Sequence, residues 1–179
     1  MAGRNVVIGV TGSIAAYKAC SLVRLFVKDD ANVHVVMTAN ALNFITPLTF
    51  QTLSRNPVLT DHFAPPANWM PQHISLASQA DLVVIAPCTA NVMAKIACGI
   101  ADDALTSIVL AAKAPVFLAP AMNTAMWTNP ATQANYRTLL SRGIRFVNMD
   151  EGDLACGASG QGRMAEPEEI FNQASSLID

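Results

Sequence analysis

Charge is scarce in this chain. Only 13% of its 179 residues are Asp, Glu, Lys or Arg, against 52% apolar, and the formal net charge is −2. With 11 basic residues spread thinly and no basic stripe, the electrostatic footprint of a nucleic-acid-binding protein is missing. No apolar run reaches membrane-spanning length. A secretory leader is also missing: Arg4 precedes only the short run Asn5–Val10, and a Thr11-Gly12 turn follows in place of a cleavage site, so cytoplasmic residence is expected. The four cysteines, Cys20, Cys88, Cys98 and Cys156, lack the paired spacing of metal sites and are expected to be thiols. The three histidines, His34, His62 and His73, form no cluster in the sequence, so no zinc site is expected. So little charge on so apolar a chain implies that part of the exterior is buried between subunits.

What is present reads as one domain over residues 1–179, long enough to bury about 70% of its unfolded surface without a disulfide or metal. Five apolar runs predict strands: Val6–Val10, Val33–Met37, Leu82–Ala86, Val116–Ala119 and Arg145–Asn148. Several are rich in Val and Ile without alternation, as strands buried on both faces are. Helical segments are predicted between and after them: Ser13–Lys28, Asn40–Leu53 (kinked or split by Pro47), Asn91–Cys98, Asp102–Ala112, Pro130–Ser141 and Pro167–Leu177. Strand–helix alternation of this kind predicts a doubly wound α/β domain with a parallel sheet. Two stretches break the pattern: the proline-rich Asn56–Ser75 and the glycine-rich Glu151–Met164, which read as long functional loops.

In an open parallel sheet, ligands sit beyond the carboxyl ends of the strands, so the residues there are the candidates for chemistry. Gly9-Val10-Thr11-Gly12-Ser13-Ile14-Ala15-Ala16 joins the first strand to the first helix as a phosphate cradle by mechanism. It lacks the third glycine of a dinucleotide fingerprint, and Lys18 lies too deep in the helix for a P-loop, so a mononucleotide phosphate fits it better. Thr38 ends the second strand and can cap the next helix. Pro87-Cys88-Thr89-Ala90-Asn91 ends the third; its small residues let a flat ring approach, Cys88 reads as a buried filler, and Asn91 is either a cap or a ligand contact. Pro120-Ala121-Met122-Asn123-Thr124-Ala125-Met126-Trp127 ends the fourth, where the Asn123 amide either caps a helix or grips a carboxylate or amide. His73 is a candidate base for a carboxylate or thiol substrate. Cys156, among glycines, is a candidate proton donor on a closing flap.

Taken together, Gly12-Ser13, His73, Pro87–Asn91 and Pro120–Trp127, with Cys156 in a Cys-Gly…Gly-x-Gly-Arg-Met segment, resemble the homo-oligomeric flavin-containing cysteine decarboxylases, and within them the branch serving coenzyme A biosynthesis. The chain departs from the family pattern at Cys88 and Thr89, where Ala and Ser are common; Cys88 would add bulk beside the flavin. The resemblance implies a flavodoxin/Rossmann-like three-layer sandwich and the cofactor FMN. It implies conversion of 4′-phosphopantothenoylcysteine to 4′-phosphopantetheine by oxidation to a thioaldehyde, loss of CO2 and re-reduction. It places His73, Cys156 and Asn123 in catalysis, and Gly12, Ser13, Ile14, Thr38, Thr89, Ala90, Asn91 and Ala121 around FMN. Met122, Asn123, Met126, Gly162, Arg163 and Met164 would contact substrate, residues 151–166 forming the clamp. Phe44 and Gln51 would reach a neighbour's flavin, and Lys95, Lys113 and Arg163 are candidates for the substrate phosphate. It further implies a homotrimer or a dodecamer of four trimers, coupled in function to phosphopantothenoylcysteine synthetase. The alternatives are a peptidyl-cysteine decarboxylase, a non-catalytic flavin-binding regulatory subunit, a flavin prenyltransferase and a generic flavodoxin-like module.

Overall fold

The computed structural model describes residues 1–63, 69–153 and 159–178. The chain begins with β1 (Asn5–Val10), α1 (Ala16–Lys28) and β2 (Asn32–Met37), followed by a short 3-10 turn over Ala39–Asn43 and by α2 (Pro47–Ser54). Next come α3 (Gln72–Gln79), β3 (Leu82–Cys88), α4 (Ala90–Cys98), α5 (Ala104–Ala111) and β4 (Val116–Pro120). The remainder is α6 (Thr124–Thr128), α7 (Pro130–Ser141), β5 (Arg145–Phe146), β6 (Asp150–Asp153), β7 (Ser159–Arg163) and α8 (Pro167–Ser175). The first five strands pair in parallel in the order β2-β1-β3-β4-β5, and β6 and β7 form a separate antiparallel hairpin. No helix is long and apolar enough to cross a membrane, among the described residues.

The sheet divides the core in two. One side packs Ile8, Val10, Val84 and Phe117 against Ala19, Leu22 and Phe26 of α1 and Ile170 of α8. The other packs Val7, Val83, Ile85 and Leu118 against Met93 of α4, Leu105 and Ile108 of α5 and Leu139 of α7. All seven residues of β3 are buried, as a central strand covered by helices on both faces requires. This is the doubly wound, flavodoxin-like three-layer sandwich. Order 2-1-3-4-5 puts its topological switch point between β1 and β3, where the following helices α1 and α4 leave to opposite faces.

Several predicted boundaries move for physical reasons. The first helix begins at Ala16 and not at Ser13, because the Ser13 hydroxyl accepts the Ala15 N–H at 3.3 Å and its carbonyl accepts Ala16 N–H at 3.0 Å, closing a turn first. Its inward face is Ala16, Ala19, Leu22, Val23 and Phe26, whereas Ile14 and Tyr17 are 58% and 62% exposed. Pro47 splits the next helix into the 3-10 turn and α2, where it takes the first helical position. The predicted strand Arg145–Asn148 keeps ladder pairing only at Arg145 and Phe146. The proline-rich loop ends earlier than expected, since Pro71 starts α3 and His73 lies in its first turn. The glycine-rich segment contains the hairpin β6–β7, with residues 154–158 between its strands outside the described residues.

Candidate cofactor and substrate cleft

The carboxyl ends of β1, β2, β3 and β4 open on one cleft of about 580 Å³, within the size of small-molecule sites. Each strand end contributes differently. Past β1, Gly12 and Ser13 form the floor; a Cβ on Gly12 would sit 2.5 Å from the Asn40 Cβ, so only glycine lets the β1 and β2 exits close on each other. Past β2, Thr38 lines the wall. Its backbone N–H donates to Val10 O at 3.1 Å, but its side chain makes no capping bond, and its buried Oγ1 has no hydrogen-bond partner among the described residues. A buried hydroxyl without a partner is costly, and its position on the cleft wall suits an acceptor or donor on a bound ligand.

The end of β3 is tied to β1 through a buried hydroxyl. Thr11 Oγ1 donates to Pro87 O at 2.7 Å and accepts Thr89 N–H at 3.2 Å. Thr89 caps α4, accepting Val92 N–H at 3.3 Å, so Asn91 is not the cap and lies instead on the cleft wall. Cys88 is fully buried in the α4/α5-side core and does not line the cleft, which corrects its expected place beside the flavin. Burial pushes its thiol pKa up to about 12, so it is an unreactive filler. At the end of β4, Ala121 N–H donates to Cys88 O at 3.0 Å, holding Ala121 and Met122 against the cleft. Asn123 Oδ1 accepts Ala125 N–H at 2.8 Å, so its capping role is real, and the residue lies beside the lining and not within it.

Of the residues predicted to surround a cofactor, the structure brings Gly12, Ser13, Thr38, Thr89, Ala90, Asn91 and Ala121 to this cleft, with Met122 and Met126. Ile14 is turned outward. Met164 is 1% exposed and packs in the α1-side core, because its carbonyl accepts Lys18 Nζ at 3.0 Å. Arg163 pairs with Glu166 at 2.8 Å and also stands outside the lining. Gly162 contributes through backbone: its carbonyl accepts Met122 N–H at 3.0 Å, and a Cβ there would come within 2.2 Å of Met122 O. That contact docks β7 against the Asn123 turn, as a clamp requires. Cys156 lies outside the described residues.

His73 does not line the cleft of its own chain. It stacks on His62, ring centroids 4.5 Å apart, and its neighbours Phe63, Trp69 and Ile74 are 87%, 86% and 40% exposed. Partial burial, and to a smaller degree the His62 ring, lower its pKa below the ordinary histidine value. Phe44 and Gln51, proposed to reach a neighbour, are exposed and likewise off the cleft.

Sequence reading missed Asn40, Asp102 and Asp103, all on the cleft wall. Asn40 follows a strand end, a signal that could have found it; the acidic pair carries no such signal, because α4 and a turn intervene before it. These aspartates also change the meaning of Lys95. It lines the cleft but holds Asp102 at 2.7 Å and Asp103 at 3.6 Å, hydrogen bonding to Asp102 raising its own pKa and lowering that of the carboxyl. Lys113 is not in the lining.

A cleft at the switch point of a 2-1-3-4-5 sheet, with an ungapped small-residue floor and an unpartnered hydroxyl on its wall, defines a mononucleotide-binding α/β domain. The chain belongs to the Flavoprotein family, whose model matches residues 1–179. It is 50% identical over 171 residues to the coenzyme A biosynthesis bifunctional protein CoaBC of Bacillus subtilis, covering 96% of this chain and 42% of that protein. The CoaBC of Haemophilus influenzae is 47% identical over 176 residues, covering 98% of this chain and 44% of the relative. The chain therefore spans less than half the length of these curated relatives. Among solved structures, a cysteine-to-serine mutant of PPC decarboxylase complexed with pantothenoylaminoethenethiol superposes with a TM-score of 0.84 at 34% identity, over 97% of each chain. The FMN-binding protein AtHal3 gives 0.83 at 35% identity, covering 97% of this chain and 95% of that one. The FMN-dependent cysteine decarboxylase SpaF gives 0.82 at 33%, covering 97% and 98%.

Proposed function

We propose that this chain binds FMN in the strand-end cleft and decarboxylates 4′-phosphopantothenoylcysteine to 4′-phosphopantetheine, a step of coenzyme A biosynthesis. The observation that carries this reading is the docking of β7 onto the Met122–Asn123 turn at the mouth of the cleft, which joins a clamp, an amide and a mononucleotide site in one place. The similarity to CoaBC and to PPC decarboxylase supports the substrate.

The residues fit the cofactor: Gly12 and Ser13 leave room for its phosphate, Thr38 offers an unused hydroxyl, and Thr89, Ala90, Asn91 and Ala121 give a small-residue wall for its ring. When bound, FMN supplies the reversible two-electron acceptor that loss of CO2 from a cysteine amide needs, since that carbanion otherwise has no electron sink. Asn123, fixed by its cap to Ala125, presents its amide to the substrate carboxylate. An unprotonated nitrogen of His73 takes the proton of the substrate thiol. Cys156 returns a proton to the product carbon as the clamp closes. Because His73 stands off its own cleft amid exposed Phe63 and Trp69, it acts on the cleft of a second copy, in a homotrimer or a dodecamer of trimers. Its product and substrate couple it to phosphopantothenoylcysteine synthetase, consistent with the bifunctional relatives.

One observation favours a second substrate, a peptide ending in cysteine. Among the described residues lining the cleft, the one cation, Lys95, is already matched by two aspartates, so no free charge awaits the substrate phosphate.

The test is mass spectrometry of FMN-loaded protein under argon with each substrate. Release of one CO2 and formation of phosphopantetheine without added reductant is the expected result. His73→Asn abolishes CO2 release, and Cys156→Ser keeps it while stopping the final reduction. A folded, colourless protein that rejects FMN would overturn the reading.

A further inference from the structure

His62 has no role in the reaction above, yet its ring lies 4.5 Å from that of His73, tilted by 34°. On its other side it meets Phe63 at 4.8 Å. Its Nδ1 is buried without a hydrogen-bond partner among the described residues, and its ring is held in contact with those of His73 and Phe63. We propose that His62 is a positioning residue for His73, stacked on it to set the plane of the imidazole and its charge state. The inference rests on the reading of His73 as the base.

Two imidazoles with ring centroids 4.5 Å apart resist carrying two protons, because the second cation forms against the first. His73 thereby stays an unprotonated acceptor at lower pH than a lone histidine would, in the direction that its partial burial already drives it. Among the described residues, the ionisable groups on the elements around His73 are absent or engaged elsewhere. α3 carries no further ionisable side chain, and α5, which packs on it, carries none. Asp103, at the start of α5, is engaged by Thr106 and Lys95, and Asp81, past the end of α3, by Arg4. Asp61 accepts the Phe63 N–H at 2.9 Å. A base that must be neutral to act, at the edge of an apolar patch, gains its working form from the neighbour that opposes its protonation.

The experiment is a side-chain NMR titration of the three histidines in wild type, His62→Phe and His62→Ala, assigned with His34 and His73 variants, alongside pH–rate profiles of the FMN-loaded protein. Phe keeps a flat ring and removes the charge. The expected result is an upward shift of the His73 midpoint in His62→Phe, with the acidic limb of the rate profile moving up equally and the high-pH rate retained. His62→Ala should lose several-fold in kcat at every pH, and the Phe variant should recover it. An unchanged His73 midpoint in His62→Phe overturns the proposal. If both variants misfold, the wild-type curve decides: a His73 titration with a single undistorted step overturns it, and one distorted by a second proton supports it. The NMR result stands whether or not CO2 is released, so failure of the decarboxylase reading and failure of this one are told apart.

Discussion

Thr38 and Asn123 show how differently two polar side chains can use the same strand-end position. Thr38 Oγ1 is buried with nothing described to bond, a defect of about 1–3 kcal/mol in the chain without ligand. Thr38→Val removes the hydroxyl at nearly constant volume. It should leave the ligand-free melting temperature unchanged or raised, yet weaken FMN binding by roughly five- to tenfold, the worth of about one hydrogen bond. Melts with and without FMN and a flavin-fluorescence titration check both halves; unchanged FMN affinity would remove Thr38 from the site. Asn123 has an observed cap and a proposed substrate contact, which substitution separates. Asn123→Ala loses the cap on Ala125 and should cost about 0.5–2 kcal/mol. Asn123→Asp keeps the cap, and should melt near wild type while turnover falls by at least about 100-fold, the amide donor having become a charge that repels the substrate carboxylate. Normal turnover by Asn123→Asp would sink the carboxylate role. The sequence left capping and binding open for this residue because both demand the same amide at the same place. For Cys88, position in a strand-end motif does not say whether the side chain faces cleft or core; it is buried, as its reading as a filler expects, because helices cover β3 on both faces.

At the scale of elements, proline and apolar runs were the reliable signals. Pro47 and Pro130 start helices where expected, and the four longest strands of the parallel sheet appear at their predicted runs because burial on both faces demands uninterrupted Val and Ile. The hairpin β6–β7 was invisible as strand, since its glycines serve close backbone approach to Met122 and Thr124 and carry no hydrophobic pattern. What anchors that hairpin lies at its far end: Lys18, 7% exposed on α1, holds both Met164 O and Glu166 Oε1, and Arg163 shares the same oxygen. The Lys18 hydrogen bond first, and then the Lys18 and Arg163 charges, hold the Glu166 carboxyl below its ordinary value of 4.5. A carboxyl depressed on folding adds stability that is present above the unfolded value and is lost as pH falls through the folded one. Wild type should therefore lose more melting temperature than Glu166→Gln on acidification from pH near 4.5 downward, the two curves staying parallel above it. Parallel curves throughout would show that the Lys18–Glu166 contact does not anchor the hairpin in solution.

For the whole molecule, the decisive fact is where the cleft and the candidate base stand. The low charge content pointed to buried exterior, and the structure shows which parts are exposed in one chain: Ile14 and Tyr17 around the start of α1, Leu48 on α2, and Phe63 and Trp69 ahead of α3. A single copy holds Asn123 beside the cleft lining and leaves His73 out of it, so under the proposed function one chain carries the cleft without its base. The proposed closed cyclic assembly would supply the base by presenting the His73 of each copy to the cleft of the next. The consequence can be measured by subunit mixing. His73→Asn and Asn123→Asp should each be inactive alone. After reversible dissociation and reassembly of an equal mixture, a site is intact when the copy lending its cleft carries the first substitution and the copy lending its histidine carries the second, which random assortment gives at about a quarter of interfaces. Recovery of roughly that share of wild-type CO2 release, rising and falling with the mixing ratio, is the expected outcome. If the mixture reassembles to the same size and stays inactive, His73 and Asn123 serve the same cleft within one chain, and the loop carrying His73 must then fold back over its own flavin site.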